Sequence, residues 1–276
     1  MAVEMINGRR VGISRKGAGA PMLLLHCALA HRGALLPLIS ALPPRTFTMF
    51  DLPGHGESEF DPTADIQAQA VETAITLLET SGPSDIFGHS FGATVALKLA
   101  CLRPDLVRTL SLYEPVYFSV LAQTNPAAYA AEAQASAPFT TAAQANDWPT
   151  AARAFLTRWS AEGFDDLSKR QQAYILQTIP LIMASEASII APESGAAVLE
   201  NLATLELPTR LMHGDSSPKV ISEIADVLQA HGANVALEIL KGAGHMGPIS
   251  HAQAVARLVN AHHPRASQWH AGTVKR

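Results

Sequence analysis

The sequence predicts an α/β fold: a mostly parallel, doubly wound sheet with an inserted helical segment. Three observations carry that prediction. Short apolar runs at residues 22–26, 46–50, 85–87 and 107–113 alternate with stretches of helical spacing, and the alternation resumes over residues 209–262. The runs are apolar throughout, as strands covered on both faces of a parallel sheet are. Between them, residues 116–205 are rich in alanine, glutamine and isolated aromatics and show no clear strand run.

Taken in order, residues 3–14 read as a hairpin around Asn7-Gly8, a strong two-residue turn signal. Gly17-Ala18-Gly19-Ala20-Pro21 breaks the chain before the first buried strand, Met22-Leu23-Leu24-Leu25-His26. A short helix near 34–42 follows, then a buried strand at 46–50. That strand ends in the Gly/Pro-rich Asp51-Leu52-Pro53-Gly54-His55-Gly56-Glu57-Ser58, where Asp51 is expected to tie down its loop through backbone hydrogen bonds. Ile66, Ala70, Val71, Ala74, Leu77 and Leu78 have helical spacing, broken at Gly82-Pro83. Asp85-Ile86-Phe87 and residues 93–100 read as strand and helix, and 107–113 as the next strand, closing in Glu114-Pro115. Helices are expected at 126–137, 148–160, 167–178 and 193–202. Then come a strand at 209–213, a helix at 218–231, a strand at 235–240 and a helix at 251–262. The tail from residue 263 is polar and expected to be poorly ordered.

Composition narrows the function. The 276 residues, 48% of them apolar, suffice for a full core plus an insertion. A formal charge of −4 with no basic stripe argues against nucleic acid, and no apolar run approaches the ~20 residues that span a bilayer. Cys27 and Cys101 read as buried free thiols, which fits a cytoplasmic location. Eleven histidines show no metal-ligand spacing, and no glycine-rich phosphate loop with its lysine is present. Neither metal nor cofactor is expected. The expected partner is a small-molecule substrate, with monomer and homodimer both open.

Chemistry concentrates at Gly88-His89-Ser90-Phe91-Gly92, between a strand and a helix. A serine on so sharp a turn sits in strained backbone geometry. Its flanking glycines are needed where strand and helix approach. The turn lifts the Ser90 hydroxyl clear of the sheet and places the Phe91 N–H at a helix N-terminus, aimed where an oxyanion would form. His26, Asp51, Ser90, Glu114, Asp215 and His245 all fall just after expected strands, at the sheet edge where α/β folds gather their chemistry.

Leu25-His26, the Asp51–Ser58 stretch, the Gly88–Gly92 elbow and Gly242-Ala243-Gly244-His245 together resemble the α/β-hydrolase superfamily. Within it they are similar to small cap-bearing esterases, C–C bond hydrolases and cofactor-free haloperoxidase-like members. The resemblance implies an α/β-hydrolase core at 1–115 and 206–276 and a helical cap at 116–205. It implies Ser90 as nucleophile, His245 as general base, and the N–H groups of Phe91 and Ala28 as the oxyanion hole. The family's His-Gly is here His26-Cys27. Its usual acid slot holds Ser217, with Asp215 two residues early. Glu114 ends the strand after the elbow's, and adjacent strands lie ~4.8 Å apart, so its carboxylate can also reach the histidine. Glu114 and Asp215 both stand as candidate acids, with Glu114 favoured. His26, Tyr117 and Trp159 are candidate substrate-binding residues, and Tyr113, Phe118, Phe155, Ile182 and Met183 join them as possible cavity lining. The expected function is hydrolysis of an ester-like or C–C diketone bond in a small, largely apolar substrate. The alternative is a catalytically weak small-molecule receptor on the same fold.

Overall fold

The computed structural model describes residues 2–262, so the expectation for the polar tail lies outside the described residues. β1 (Ala2–Ile6) and β2 (Arg9–Lys16) form the expected hairpin. Asn7 and Gly8 take φ of 50° and 76°, the left-handed pair that a tight hairpin turn requires. There follow β3 (Pro21–Leu25), α1 (Leu36–Ala41), β4 (Thr46–Phe50), α2 (Ile66–Ser81), β5 (Ser84–His89), α3 (Phe91–Leu102) and β6 (Val107–Tyr113).

Helices α4 (Leu121–Thr124), α5 (Pro126–Gln144), α6 (Trp148–Trp159), α7 (Lys169–Thr178), α8 (Pro180–Ala184), α9 (Glu186–Ile189) and α10 (Pro192–Thr204) separate β6 from β7 (Thr209–Gly214). The chain closes with α11 (Lys219–His231), β8 (Val235–Leu240), α12 (Gly247–Ser250) and α13 (Ala252–His262).

One eight-stranded sheet runs β1-β2-β4-β3-β5-β6-β7-β8. β2 is antiparallel to β1 and β4, and every other pairing is parallel. Strand alternation sorts side chains between two cores. Leu23, Leu25 and Ile86 join the α2, α3 and α11 side, while Met22, Leu24 and Phe87 join the α1 and α13 side. Both faces are therefore covered, which is why these strands read as unbroken apolar runs.

The helical segment is the least faithful to its sequence reading. The expected end of α5 at residue 137 precedes Pro138, yet the helix continues to Gln144 with that proline inside it. Proline removes one backbone N–H, but Phe139, Ala142 and Ala143 of the following turns are buried against Ala151, Ala152, Phe164 and Ile179 in a third apolar cluster. That burial holds the turns that local propensity would release. The short α4, α8 and α9 have no counterpart in the expected four helices. No helix among the described residues is long and apolar enough to cross a membrane.

Candidate active site

β5 delivers Ser90 at the sheet's C-terminal edge with φ 57° and ψ −119°, a strained conformation for a residue with a side chain. The elbow's glycines follow from contact. A Cβ on Gly92 would lie 2.4 Å from the His26 carbonyl oxygen, and one on Gly88 would lie 2.5 Å from Ala93 Cα. The Ser90 N–H donates to the Tyr113 carbonyl at 2.9 Å, locking the turn to β6.

His245 lies beyond β8 on the Gly242–Gly244 loop. Its Nε2 is 2.9 Å from Ser90 Oγ and its Nδ1 is 2.6 Å from Glu114 Oε2. A carboxylate can only accept, so Nδ1 carries the proton and Nε2 presents its lone pair to the serine hydroxyl. Glu114 follows β6 with a left-handed φ of 50°, and its other oxygen accepts from the Gly214 N–H at 2.8 Å and Ser217 Oγ at 2.5 Å. Burial pushes the Glu114 pKa up. The hydrogen bonds from His245, Gly214 and Ser217 outweigh that and hold it below the usual carboxylate range. Ser217, in the slot where an acid is expected from the sequence, instead donates to Glu114.

Among the described residues Asp215 makes no bond to the His245 ring. It is exposed, and its Oδ1 accepts from the Gly242 N–H at 2.7 Å and from Ser216 Oγ at 3.2 Å. It ties the end of β7 to the start of the His245 loop. This corrects Asp215 as an alternative acid: the β7 turn directs its carboxylate along the loop backbone instead.

Two of the three expected substrate-binding residues also need correction. His26 is buried, with Nδ1–H donating to the Cys27 carbonyl at 2.7 Å and Nε2 accepting from the Leu52 N–H at 2.9 Å. His55 mirrors it, accepting from the Leu29 N–H at 3.1 Å. The two rings brace the loop carrying Ala28 against the loop after β4. Burial drives His26 well below its ordinary pKa and His55 down to about 4, so both are neutral. Tyr117 is also buried. Its hydroxyl donates to the Thr94 carbonyl and accepts from Gln67 Nε2, so it belongs to the packing of α2 on α3. Trp159 does reach the site, its ring edge-on to the His245 imidazole with centroids 4.8 Å apart.

Asp51 accepts from the backbone N–H groups of Arg32 and Glu57, as expected for a loop anchor, and its buried carboxylate also pairs with the Arg32 guanidinium. The Cys27 thiol is buried and its pKa is pushed up to about 12, which leaves it without thiolate reactivity. Among the described residues no group of three or more His, Cys, Asp or Glu side chains is placed to hold a metal ion.

His89 acts as a structural hydrogen-bonder. Its Nε2–H donates to the His245 carbonyl at 2.7 Å, while its buried Nδ1 has no hydrogen-bond partner among the described residues. Burial, reinforced by the neighbouring His245, takes its pKa down to about 3. A neutral ring with one proton on Nε2 fits that arrangement. The Tyr113 hydroxyl donates to the Gly244 carbonyl at 2.8 Å, giving the loop a second anchor.

Two cavities meet at Ser90, sharing Ala28, Phe155, Trp159 and His245 in their walls. The first, about 600 Å³, runs past Phe91 between α5, α6 and α9 and is walled largely by apolar side chains, among them Phe118 and Ile182. Tyr113, Tyr117 and Met183 are not in its wall. Its polar spot went unread in the sequence: Arg158 donates to both Glu132 oxygens at 2.9 and 2.8 Å, and its guanidinium lies 5.1 Å over the Trp159 ring. The second, about 790 Å³, continues past Met246 toward Lys16, His31 and Arg170.

Comparison with known proteins agrees with this architecture. The profile of the Alpha/beta hydrolase family matches residues 22–258. The chain is 29% identical over 246 residues to a pimeloyl-[acyl-carrier protein] methyl ester esterase of Neisseria meningitidis, covering 85% of this chain and 90% of that one. It is 31% identical over 119 residues to an (E)-2-((N-methylformamido)methylene)succinate hydrolase of Acinetobacter baylyi, a match spanning 42% of this chain and only 45% of that enzyme. Among solved structures, MGS-M2, an alpha/beta hydrolase enzyme from a Medee basin deep-sea metagenome library, superposes with a TM-score of 0.76 at 15% identity, covering 95% of this chain and 96% of that one.

Proposed function

The chain belongs to the alpha/beta hydrolase family and is a hydrolase, and from that premise we propose that it is a serine hydrolase cleaving carboxylic esters of small molecules, with residues 116–205 as a cap over the site. The observation that carries the reading is the continuous hydrogen-bonded line from Glu114 through His245 to Ser90 at the floor of two cavities. Ser90 Oγ attacks the ester carbonyl carbon as its proton passes to His245 Nε2. The N–H groups of Phe91 and Ala28 receive the developing oxyanion. The C–O bond to the leaving alcohol breaks as His245 returns the proton to it. Water, deprotonated by the same nitrogen, then releases the acid from Ser90. Glu114 keeps the Nδ1 proton in place and balances the imidazolium formed at each step.

The esterase similarity along most of the chain supports an acyl ester as the bond cleaved. The receptor alternative drew its force from an acid missing from its usual place. Glu114 in hydrogen bond with His245 removes that reason. Labelling of the folded protein by a fluorophosphonate probe, lost in Ser90→Ala, is the expected result. Wild-type protein that is folded but resists the probe, and leaves a short p-nitrophenyl ester uncleaved, would refute the proposal.

A further inference from the structure

The two cavities differ in charge, and the difference constrains what can enter each. The first is bounded by three charged side chains, Glu132, Arg158 and Glu186. Glu132 and Arg158 neutralise one another through two hydrogen bonds. The Glu186 carboxylate makes no hydrogen bond or ion pair among the described residues, and burial pushes its pKa up. An anionic group drawn into that cavity would leave water for an apolar wall with an uncompensated negative charge in it.

The second cavity is bounded by Lys16, Arg32, Asp51, Glu57 and Arg170. Arg32 is held by Asp51 and Glu57 together. Lys16 and Arg170 are exposed and make no ion pair among the described residues, so the cavity carries one positive charge in excess. His31 stands beside them in the wall. Direction follows from the base. A leaving oxygen has to meet His245 Nε2 to be protonated; His245 stands in the walls of both cavities, and its neighbour Met246 lines the cationic one alone. Phe91, the residue after the serine, lines the apolar cavity and not the cationic one.

On the serine-hydrolase reading, we infer that the substrate is an ester with an uncharged, largely apolar acyl part in the cavity beside α5 and α6, and an alcohol part bearing a carboxylate or phosphate group drawn toward Lys16 and Arg170. Such a product alcohol leaves as an anion into solvent on the exposed side, and the acyl part stays behind on Ser90.

The test uses four esters of matched length on the full chain. One is neutral, one carries a carboxylate on the alcohol, one a phosphate on the alcohol, and one a carboxylate at the far end of the acyl chain. At low salt the two alcohol-side anions should exceed the neutral ester in kcat/KM by roughly three- to tenfold, through KM, and lose that gain at high salt. A larger gain for phosphate than for carboxylate identifies the natural group as phosphate, and equal gains show that a carboxylate suffices; both support the inference. The acyl-side carboxylate should fall below the neutral ester, and Glu186→Gln should narrow that gap. In Lys16→Ala combined with Arg170→Ala, the ratio of anionic to neutral ester should return to about one, a within-variant comparison that does not depend on how much protein folds. A neutral ester preferred over both alcohol-side anions, or an acyl-side carboxylate preferred over all, overturns this inference while leaving the hydrolase reading intact. No cleavage of any of the four by folded protein overturns both.

Discussion

At the ends of β5 and β6, position is set atom by atom. Each Glu114 oxygen and each His245 nitrogen has a hydrogen-bond partner at 2.5–2.9 Å, and the loop bearing His245 is pinned by His89 and Tyr113 besides. The wall formed by α5, α6 and α9 is held otherwise. It has a few polar ties, among them Arg158 and Ser136 on Glu132 and the Tyr129 hydroxyl on the Ile190 carbonyl, but is mostly a matter of packed volume: Phe155 against Trp159 and Phe139, Ile182 and Ile189 at partial or full burial. The contrast teaches that one part of this molecule has to be right to a few tenths of an ångström. The other has only to be roughly the right shape, and can be changed without losing the chemistry.

The largest expected effect breaks the first region at its acid. Glu114→Gln keeps the size of the side chain but can no longer stabilise the imidazolium, and should lower kcat on the order of 10⁴-fold. Asp215→Asn retains an acceptor for the Gly242 N–H and should stay within about twofold. Burst kinetics with a p-nitrophenyl ester compares the two, and similar losses in both would place the third member of the array elsewhere.

A smaller effect concerns stability. His55 and His89 are neutral in the fold, with pKa values of about 4 and about 3, whereas the unfolded chain takes up those protons near ~6.5. The share of stability that depends on these two rings is therefore complete above about pH 6.5. As the pH falls, each residue costs up to about 1.4 kcal/mol per unit until its folded pKa is reached. Urea unfolding at successive pH values should show this slope, and His55→Asn should remove one histidine's share of it. An unchanged slope in that variant would mean that the ring is protonated in the fold. The smallest expected effect belongs to the helical wall. Ile182→Ala enlarges the apolar cavity and should move the preferred acyl chain to greater length, changing kcat/KM for any one ester by no more than roughly tenfold. A loss as large as that of Glu114→Gln would erase the distinction between the two regions.

The same division explains what could be read in the sequence. Ser90, His245 and Glu114 were legible because backbone geometry announces them: glycines around a sharp turn, a Gly-x-Gly after the last strand, a carboxylate where a strand ends beside the elbow's. The choice between Glu114 and Asp215 rests in the sequence on the slot after β7 and on strand order, and the separating contact, His245 on Glu114, joins residues 131 apart in sequence. His26 misled for a related reason. A histidine at a strand end can face a cavity or a neighbouring loop, and the Leu52 N–H that claims it belongs to a different strand's loop. Tyr117 was an aromatic in the right segment whose hydroxyl found Thr94 and Gln67 first. In the helical segment alanine-rich spacing marked the long helices. It gave no sign of Arg158 reaching Glu132 one helix away, because that pairing depends on how α5 and α6 cross.

The lengths of chain that the site bridges have a consequence for refolding. The bonds from His245 to Glu114 and Ser90 close loops of 131 and 155 residues, and the His89 bond one of 156. Elements beside Ser90, β5 and α3, are local and can form early, but His245 arrives only when the far end of the chain docks. On the proposed mechanism turnover thus reports the closure of the whole chain, and a fragment ending before β7 would keep the serine and its turn without His245.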